Sequence, residues 1–347
     1  MKMNRLGRTD TLVSEICLGS MTWGTQNTYE QAAEQIEIAI EHGVNFIDTA
    51  EMYPTTPLSE ETLGDTESII GQWFRTSGKR DQIVIATKVT GNGKAWMYGG
   101  QDITAEKIRI SVDRSLKRLQ TDRIDLYQLH WPNRGSYHFR QSWRYDPGKQ
   151  DSSRISDNFL EVLEALEEQR QAGKIIHAGL SNETCWGALQ YLKLSEQHSL
   201  PRMVSVQNEY NLMNRLYDLD MAELTHHEQV GLLAFSPLAA GILSGKYSDG
   251  AKPSGSRRTL NDTLNGRYTP RSAPVCERYV KLAEAHGLEP AAMALAFCLS
   301  RPFMTSTIIG ATTVEQLKIN LAATEVKWSE ELQDQIHAIY QDHPIPM

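Results

Sequence analysis

Four residues of this chain have types and places that could do proton chemistry together: Asp48, Tyr53, Lys88 and His130. Three end apolar runs, Asn45-Phe46-Ile47-Asp48, Ile83-Val84-Ile85-Ala86-Thr87-Lys88 and Ile124-Asp125-Leu126-Tyr127-Gln128-Leu129-His130, and Tyr53 lies just past the first of these. A phenol is a weak acid at neutral pH unless a cation stabilises its anion. Lys88 can supply that cation, Asp48 can keep Lys88 charged, and His130 can orient a carbonyl oxygen or relay a proton. Tyr53 would then be the general acid in a reduction and the general base in an oxidation. None of the four can give a hydride, so the chemistry calls for a nicotinamide cofactor. Taken singly, each has a structural reading as well: Asp48 as a cap, Lys88 as a solvated charge, His130 as a satisfied buried ring.

The elements that must position these side chains follow from the hydrophobic pattern. Short apolar runs alternate with amphipathic stretches, which predicts parallel βαβ units. Eight strands are expected: Ile16 to Leu18, Asn45 to Asp48, Ile83 to Lys88, Ile124 to His130, Ile175 to Ser181, Met203 to Asn208, Gly231 to Ser236 and Ser306 to Gly310. Helices are expected over Thr28 to His42, Ile108 to Leu119, Phe159 to Ala172, Cys185 to His198, Val314 to Ala323 and Ser329 to Tyr340. The chain has 347 residues. That length suits one (β/α)₈ barrel domain over residues 1–347, since such barrels take about 250 residues and often more. In a parallel barrel, all four candidate residues meet at the C-terminal face. Lys2 to Glu15, with Gly7-Arg8-Thr9-Asp10 at its centre, predicts a β-hairpin that caps the opposite end. Three connections, Val89 to Thr104, Trp131 to Ser156 and Pro237 to Ala273, are long enough to be functional. Their aromatics, Trp96, Tyr98, Trp131, Tyr137, Phe139, Trp143, Tyr145 and Tyr268, would wall a pocket or pin the loops.

Bulk properties narrow the function classes. A net charge of −8 without a basic run argues against nucleic acid and anionic membranes. No apolar stretch approaches the roughly 18 residues of a membrane span, and the polar start is not a signal peptide. Cys17, Cys185, Cys276 and Cys298 are isolated, as in reduced cytoplasmic proteins. His42 and His286 precede glycines at helix ends and suit the helix dipole, and His226-His227 has no ligand companions, so no metal site is expected. No heptad seam appears, so a monomer or weak oligomer is the expectation.

The phosphates of a cofactor need their own donors. There is no Gly-x-Gly-x-x-Gly. The segment Ser236-Pro237-Leu238-Ala239-Ala240-Gly241-Ile242-Leu243-Ser244-Gly245-Lys246 offers close backbone approach and a cation. Gly310-Ala311-Thr312-Thr313 opens a helix after the last strand, a position barrel proteins use for phosphate. Ser256-Arg257-Arg258 could clamp a 2′-phosphate, Arg257 more plausibly than Arg258.

Taken together, the segments Asp48-Thr49-Ala50-Glu51-Met52-Tyr53, Thr87-Lys88, Leu129-His130-Trp131-Pro132, Gly179-Leu180-Ser181-Asn182, Val206-Gln207-Asn208-Glu209-Tyr210-Asn211, Phe235-Ser236-Pro237-Leu238 and Gly310-Ala311 resemble the aldo-keto reductase superfamily over the full chain. The resemblance is nearest to the bacterial Tas-type proteins and more distant to the potassium-channel β subunits. It implies NADPH and reversible reduction of small-molecule aldehydes or ketones by the Asp48, Tyr53, Lys88, His130 tetrad. It implies that Ser181, Asn182 and Gln207 hold the nicotinamide carboxamide, that Tyr210 stacks on its ring, and that Ser236 to Lys246, including Pro237, Leu238, Gly241 and Leu243, grip the pyrophosphate. Arg257, Gly310, Thr312, Gln316 and Asn320 would surround the adenosine end, with Trp23 and Trp131 beside the substrate. Ile319 and Thr312 depart from common residues of the family, which bears on the adenine contact and on the preference for NADPH. Two other readings stay open: an NADP(H)-sensing regulatory protein with slow residual chemistry, and a metal-dependent barrel hydrolase.

Overall fold

The computed structural model describes residues 1–347. An antiparallel hairpin, β1 (Met3–Arg5) and β2 (Leu12–Ser14), precedes eight parallel strands: β3 (Ile16–Gly19), β4 (Phe46–Asp48), β5 (Val84–Val89), β6 (Ile124–Leu129), β7 (Ile175–Ser181), β8 (Met203–Glu209), β9 (Gly231–Phe235) and β10 (Met304–Ile309). They close into a barrel in chain order, with β10 beside β3. All eight expected strands are present, each within two residues of its expected bounds. This is the (β/α)₈ barrel the alternation predicts.

The helices are α1 (Tyr29–Glu41), α2 (Asp65–Ser77), α3 (Ala105–Leu119), α4 (Ser152–Gln171), α5 (Cys185–His198), α6 (Asp220–Glu228), α7 (Arg257–Leu260), α8 (Ser272–Ala285), α9 (Pro290–Leu299), α10 (Val314–Leu321) and α11 (Glu330–Asp342). Of these, α2, α6, α7, α8 and α9 lie outside the helices expected from sequence. The stretch α9 is apolar on every side and buried nearly throughout, so it has no amphipathic period to read. Helix α4 starts inside the loop expected after β6, because the Asp151 carboxylate accepts from the amides of Ser153 and Arg154 and caps it there. His42 and His286 sit at the ends of α1 and α8, as expected, the former with Nδ1 2.8 Å from the Ile38 carbonyl. No helix is long and apolar enough to cross a membrane.

Inside the barrel, the end under the hairpin is apolar. Leu6 and Val13 of the hairpin pack with Cys17, Phe46, Ala86, Leu126, Val204, Leu233 and Ile308. Gly7, at φ +59°, lies so close to the Val204 backbone that a Cβ would come within 2.7 Å of its carbonyl oxygen. The main apolar core lies outside the strands, between them and the helices.

Candidate active site

Side chains alternate along a strand, so the residue two beyond an apolar inward position also points inward. Two steps on from Phe46, Ala86 and Leu126 stand Asp48, Lys88 and Gln128. The register pairs Asp48 with Ala86 and Lys88 with Gln128, so these polar side chains form a layer above the apolar plug. Lys88 is wholly buried, and its Nζ donates to Asp48 Oδ2 at 2.7 Å and to the Thr49 carbonyl at 2.6 Å. The other oxygen, Asp48 Oδ1, accepts from Gln207 Nε2 at 2.8 Å and Gln128 Nε2 at 3.2 Å. A buried ion pair needs such bonds to offset desolvation.

Tyr53 lies in the turn after β4, and its carbonyl accepts from Gly64 N at 3.0 Å, at the start of α2. Lys88 Nζ is 5.0 Å from the Tyr53 ring centre. Across the pocket, the His130 ring meets the Tyr53 ring edge-on at 6.0 Å. The structure therefore brings all four tetrad candidates together.

Burial pushes the Tyr53 phenol above its ordinary pKa, and the opposing pull of Lys88 is the smaller effect. The phenol is thus protonated at neutral pH, as a general acid must be. Burial also works against the Lys88 ammonium, but Asp48 opposes it and the net pKa is above the ordinary lysine value. His130 is held well below the usual histidine range by burial and then by Lys88. It is a neutral imidazole, and its buried Nδ1 has no hydrogen-bond partner. Such a ring can hydrogen-bond a carbonyl oxygen without adding a competing charge.

Apart from Tyr210, the residues expected to hold a cofactor lie at or beyond the C-terminal ends of β7 to β10 on the same face. Asn182 follows β7 with φ +52°, and its Nδ2 donates to the His130 carbonyl at 2.9 Å. That fixes the amide's orientation and leaves Asn182 Oδ1 buried without a donor. Ser181 Oγ donates to the Gln207 carbonyl at 2.9 Å. The Gln207 NH₂ is committed to Asp48 and to Gln128 Oε1, so of its side chain only Oε1 remains for a ligand. Beyond β9, Ser236, Ala239, Ala240, Gly241 and Gly245 all have positive φ. This makes a tight curl with Pro237 and Leu243 buried and Leu238 half-buried. A Cβ on Gly241 would stand 2.9 Å from Lys246 Cε, so the glycine lets that side chain fold across the curl. Burial, then the neighbouring Arg257, lowers the Lys246 ammonium.

Arg257 and Arg258 separate clearly. Arg258 is buried, donates to the Gly250 and Ala251 carbonyls and to Asp262, and lies 3.8 Å from the centre of the Tyr268 ring. Arg257 is half-buried, and its guanidinium makes neither an ion pair nor a hydrogen bond. Burial and the nearby Arg267 lower its guanidinium, so it sits where an anion would be welcome. After β10, Gly310 is exposed, Asn320 Nδ2 donates to its carbonyl at 3.2 Å, and Gln316 Oε1 accepts from the Thr312 amide at 3.0 Å. The orphaned Asn182 acceptor, the curl with Lys246 and the unpaired Arg257 together fit a nicotinamide dinucleotide.

Two sequence expectations are corrected. Tyr210 cannot stack on a nicotinamide: it is fully buried, stacked on Phe297 at 5.7 Å, edge-on to Phe303, with its hydroxyl on Asp218 at 2.6 Å. It faces the outer core, not the barrel mouth. Trp23 cannot border a substrate either, being fully buried with Nε1 donating to Gln35 of α1. Trp131 is half-buried beside His130, with ring centres 4.8 Å apart, and Phe139 stands edge-on beyond it at 6.2 Å. Sequence reasoning missed Gln128 and Phe235. Half-buried Phe235 ends β9 and packs against the inner barrel cluster. The phase of inward positions, Leu126-Gln128-His130 and Leu233-Phe235, was the available signal. No group of three or more His, Cys, Asp or Glu side chains converges as a metal site.

The model of the Aldo/keto reductase family matches residues 15–341. The Escherichia coli protein named Protein tas is 41% identical over 100% of this chain and 99% of its own. The Bacillus subtilis protein named uncharacterized oxidoreductase YrpG is 32% identical, covering 98% of this chain and 96% of its own. A probable aryl-alcohol dehydrogenase of Saccharomyces cerevisiae, AAD4, is 28% identical over 89% of this chain and 88% of its own. The chain belongs to the aldo/keto reductase family, and an oxidoreductase activity follows from that membership.

Proposed function

We propose that this barrel, acting as one domain, reduces aldehydes or ketones to alcohols with NADPH, reversibly. One observation carries the reading: a protonated phenol and a neutral imidazole converge on one pocket above a buried Lys88–Asp48 pair. The bound cofactor would supply the hydride. His130 orients the carbonyl oxygen, and Tyr53 gives that oxygen its proton. Lys88 stabilises the phenolate left behind, and Asp48, braced by Gln128 and Gln207, keeps Lys88 in place. Asn182 and Ser181 would hold the carboxamide, Phe235 would offer its ring to the nicotinamide, and the Ser236–Lys246 curl would take the pyrophosphate. Arg257, free of any partner, would take the 2′-phosphate, with Thr312, Gln316 and Asn320 near the adenosine. An aromatic carbonyl substrate is supported by Trp131 and Phe139 at the rim and by the printed name of the yeast relative. A cytoplasmic location is supported by four free thiols.

The test follows NADPH absorbance with a panel of aromatic and aliphatic aldehydes, for the wild type and for Arg257→Ala. We expect turnover with NADPH, and a loss of about 10- to 100-fold in NADPH affinity for the variant with NADH affinity unchanged. Tight NADPH binding with negligible turnover on every aldehyde would instead favour the regulatory reading.

A further inference from the structure

We propose that Glu51 is a positioning residue: its carboxylate fastens the turn that carries Tyr53 to the strand end that carries Lys88, and so sets the geometry of the acid and its cation. The assignment of what that geometry does rests on the reductase reading above.

Glu51 lies two residues before Tyr53, and Thr90 lies two residues after Lys88. Glu51 Oε1 accepts from Thr90 N at 2.7 Å. The Glu51 amide donates to the Lys88 carbonyl at 3.3 Å, and the Glu51 carbonyl accepts from the Tyr98 hydroxyl at 2.6 Å. One residue thus ties the Tyr53 turn once to β5, once to the residue that follows it and once to the loop beyond. It does so with no solvent exposure at all.

A carboxylate in that position is costly unless it has a task. Burial raises the Glu51 pKa, the Thr90 amide opposes this, and Glu67 adds to it. The groups facing it from other elements are Glu67 of α2, Lys107, Ser111 and Arg118 of α3, Tyr127 of β6 and Tyr98 of the β5 loop. Glu67 is already engaged by Thr87 Oγ1 at 2.6 Å and Arg118 Nε at 2.7 Å, and Lys107 Nζ by the Gln101 carbonyl at 2.7 Å. Glu51 Oε2 has no partner within hydrogen-bond distance, and beside a smaller contribution from the Ser111 hydroxyl it is the Thr90 amide that holds this carboxylate. A neutral apolar side chain would fill the space at lower electrostatic cost but could not hold Thr90. The neighbouring anchor points the same way: the Tyr53 carbonyl is held by Gly64 N, so the turn is fixed beyond Glu51 as well.

The experiment compares Glu51→Ala and Glu51→Gln with wild type in three readouts: kcat and KM with NADPH and an aldehyde, NADPH binding, and the ultraviolet tyrosinate step absent from Tyr53→Phe. We expect Glu51→Ala to lower kcat about 10- to 100-fold, the effect of a small misplacement of a catalytic group, with KM and NADPH binding nearly unchanged. The Tyr53 step should move to higher pH, because Lys88 then stabilises the phenolate less. Glu51→Gln keeps an oxygen for Thr90 N and should recover most of the loss. Should Glu51→Ala not fold, Glu51→Asp carries the same comparison, since its shorter arm withdraws the carboxylate from Thr90. An unmoved Tyr53 step in the folded variant overturns the proposal, as does equal loss of kcat and NADPH binding in the Ala and Gln variants. If the wild type turns over no carbonyl, the reductase reading fails, and the tyrosinate step alone still decides the role of Glu51.

Discussion

The two ends of the barrel interior are built from the same strands and follow opposite rules. Under the hairpin, Phe46, Ala86, Leu126 and Leu233 close an apolar plug in which no side chain has a hydrogen-bonding task. Two residues further along β4, β5 and β6, Asp48, Lys88 and Gln128 form a polar layer in which every bond is specific. The lower layer is held by area and shape, which tolerate exchange of one apolar side chain for another. The upper layer is held by charge pairing in a dry site, where removing one partner strands the other. At the upper end, His130 Nδ1 and Asn182 Oδ1 are buried without a hydrogen-bond partner. Unpartnered polar atoms beside a pocket are points at which a ligand can bond.

Breaking the upper layer should have the largest effect. Lys88→Met strands the buried Asp48 carboxylate, and we expect both a loss of about 3–5 kcal/mol of stability and the loss of turnover. Urea denaturation and NADPH absorbance read the two effects. Phe46→Ala should destabilise by a similar or smaller amount, about 3–5 kcal/mol with the cavity term at its full extent. It should leave kcat intact in the protein that remains folded, which separates the layers. The smallest effect is on pH dependence. His130 and His138 are both held low by burial, His138 to about 4. A native-state pKa below the unfolded one means the unfolded chain takes up the proton first, so stability falls as pH drops from about 6.5 towards 4. His138→Gln should flatten that slope in thermal denaturation, and an unchanged slope would mean that His138 is not the buried neutral ring described here.

The parts legible in the sequence are those that a single strand encodes by itself. Eight strands stood out because parallel strands covered on both faces read as apolar runs. The tetrad stood out because four chemically matched residues follow such runs. What escaped depends on which wall of a strand a side chain faces. Gln128 and Phe235 needed the inward phase of β6 and β9. The family resemblance implied Tyr210 and Trp23 at the pocket, yet their rings turn into the outer core. Gln207 lies at the site, but its amide serves Asp48 across 159 residues of sequence, a pairing that only closure of the barrel creates. The partnerless state of Arg257 against the full pairing of Arg258 is likewise invisible in two adjacent letters.

The most direct test of the central claim is single-turnover reduction of an aldehyde by NADPH in wild type and Tyr53→Phe, with NADPH binding followed by tryptophan fluorescence. The account predicts a fall of about 10³-fold in turnover with NADPH affinity essentially unchanged, because only the proton donor is lost. Turnover in Tyr53→Phe close to that of the wild type would contradict it.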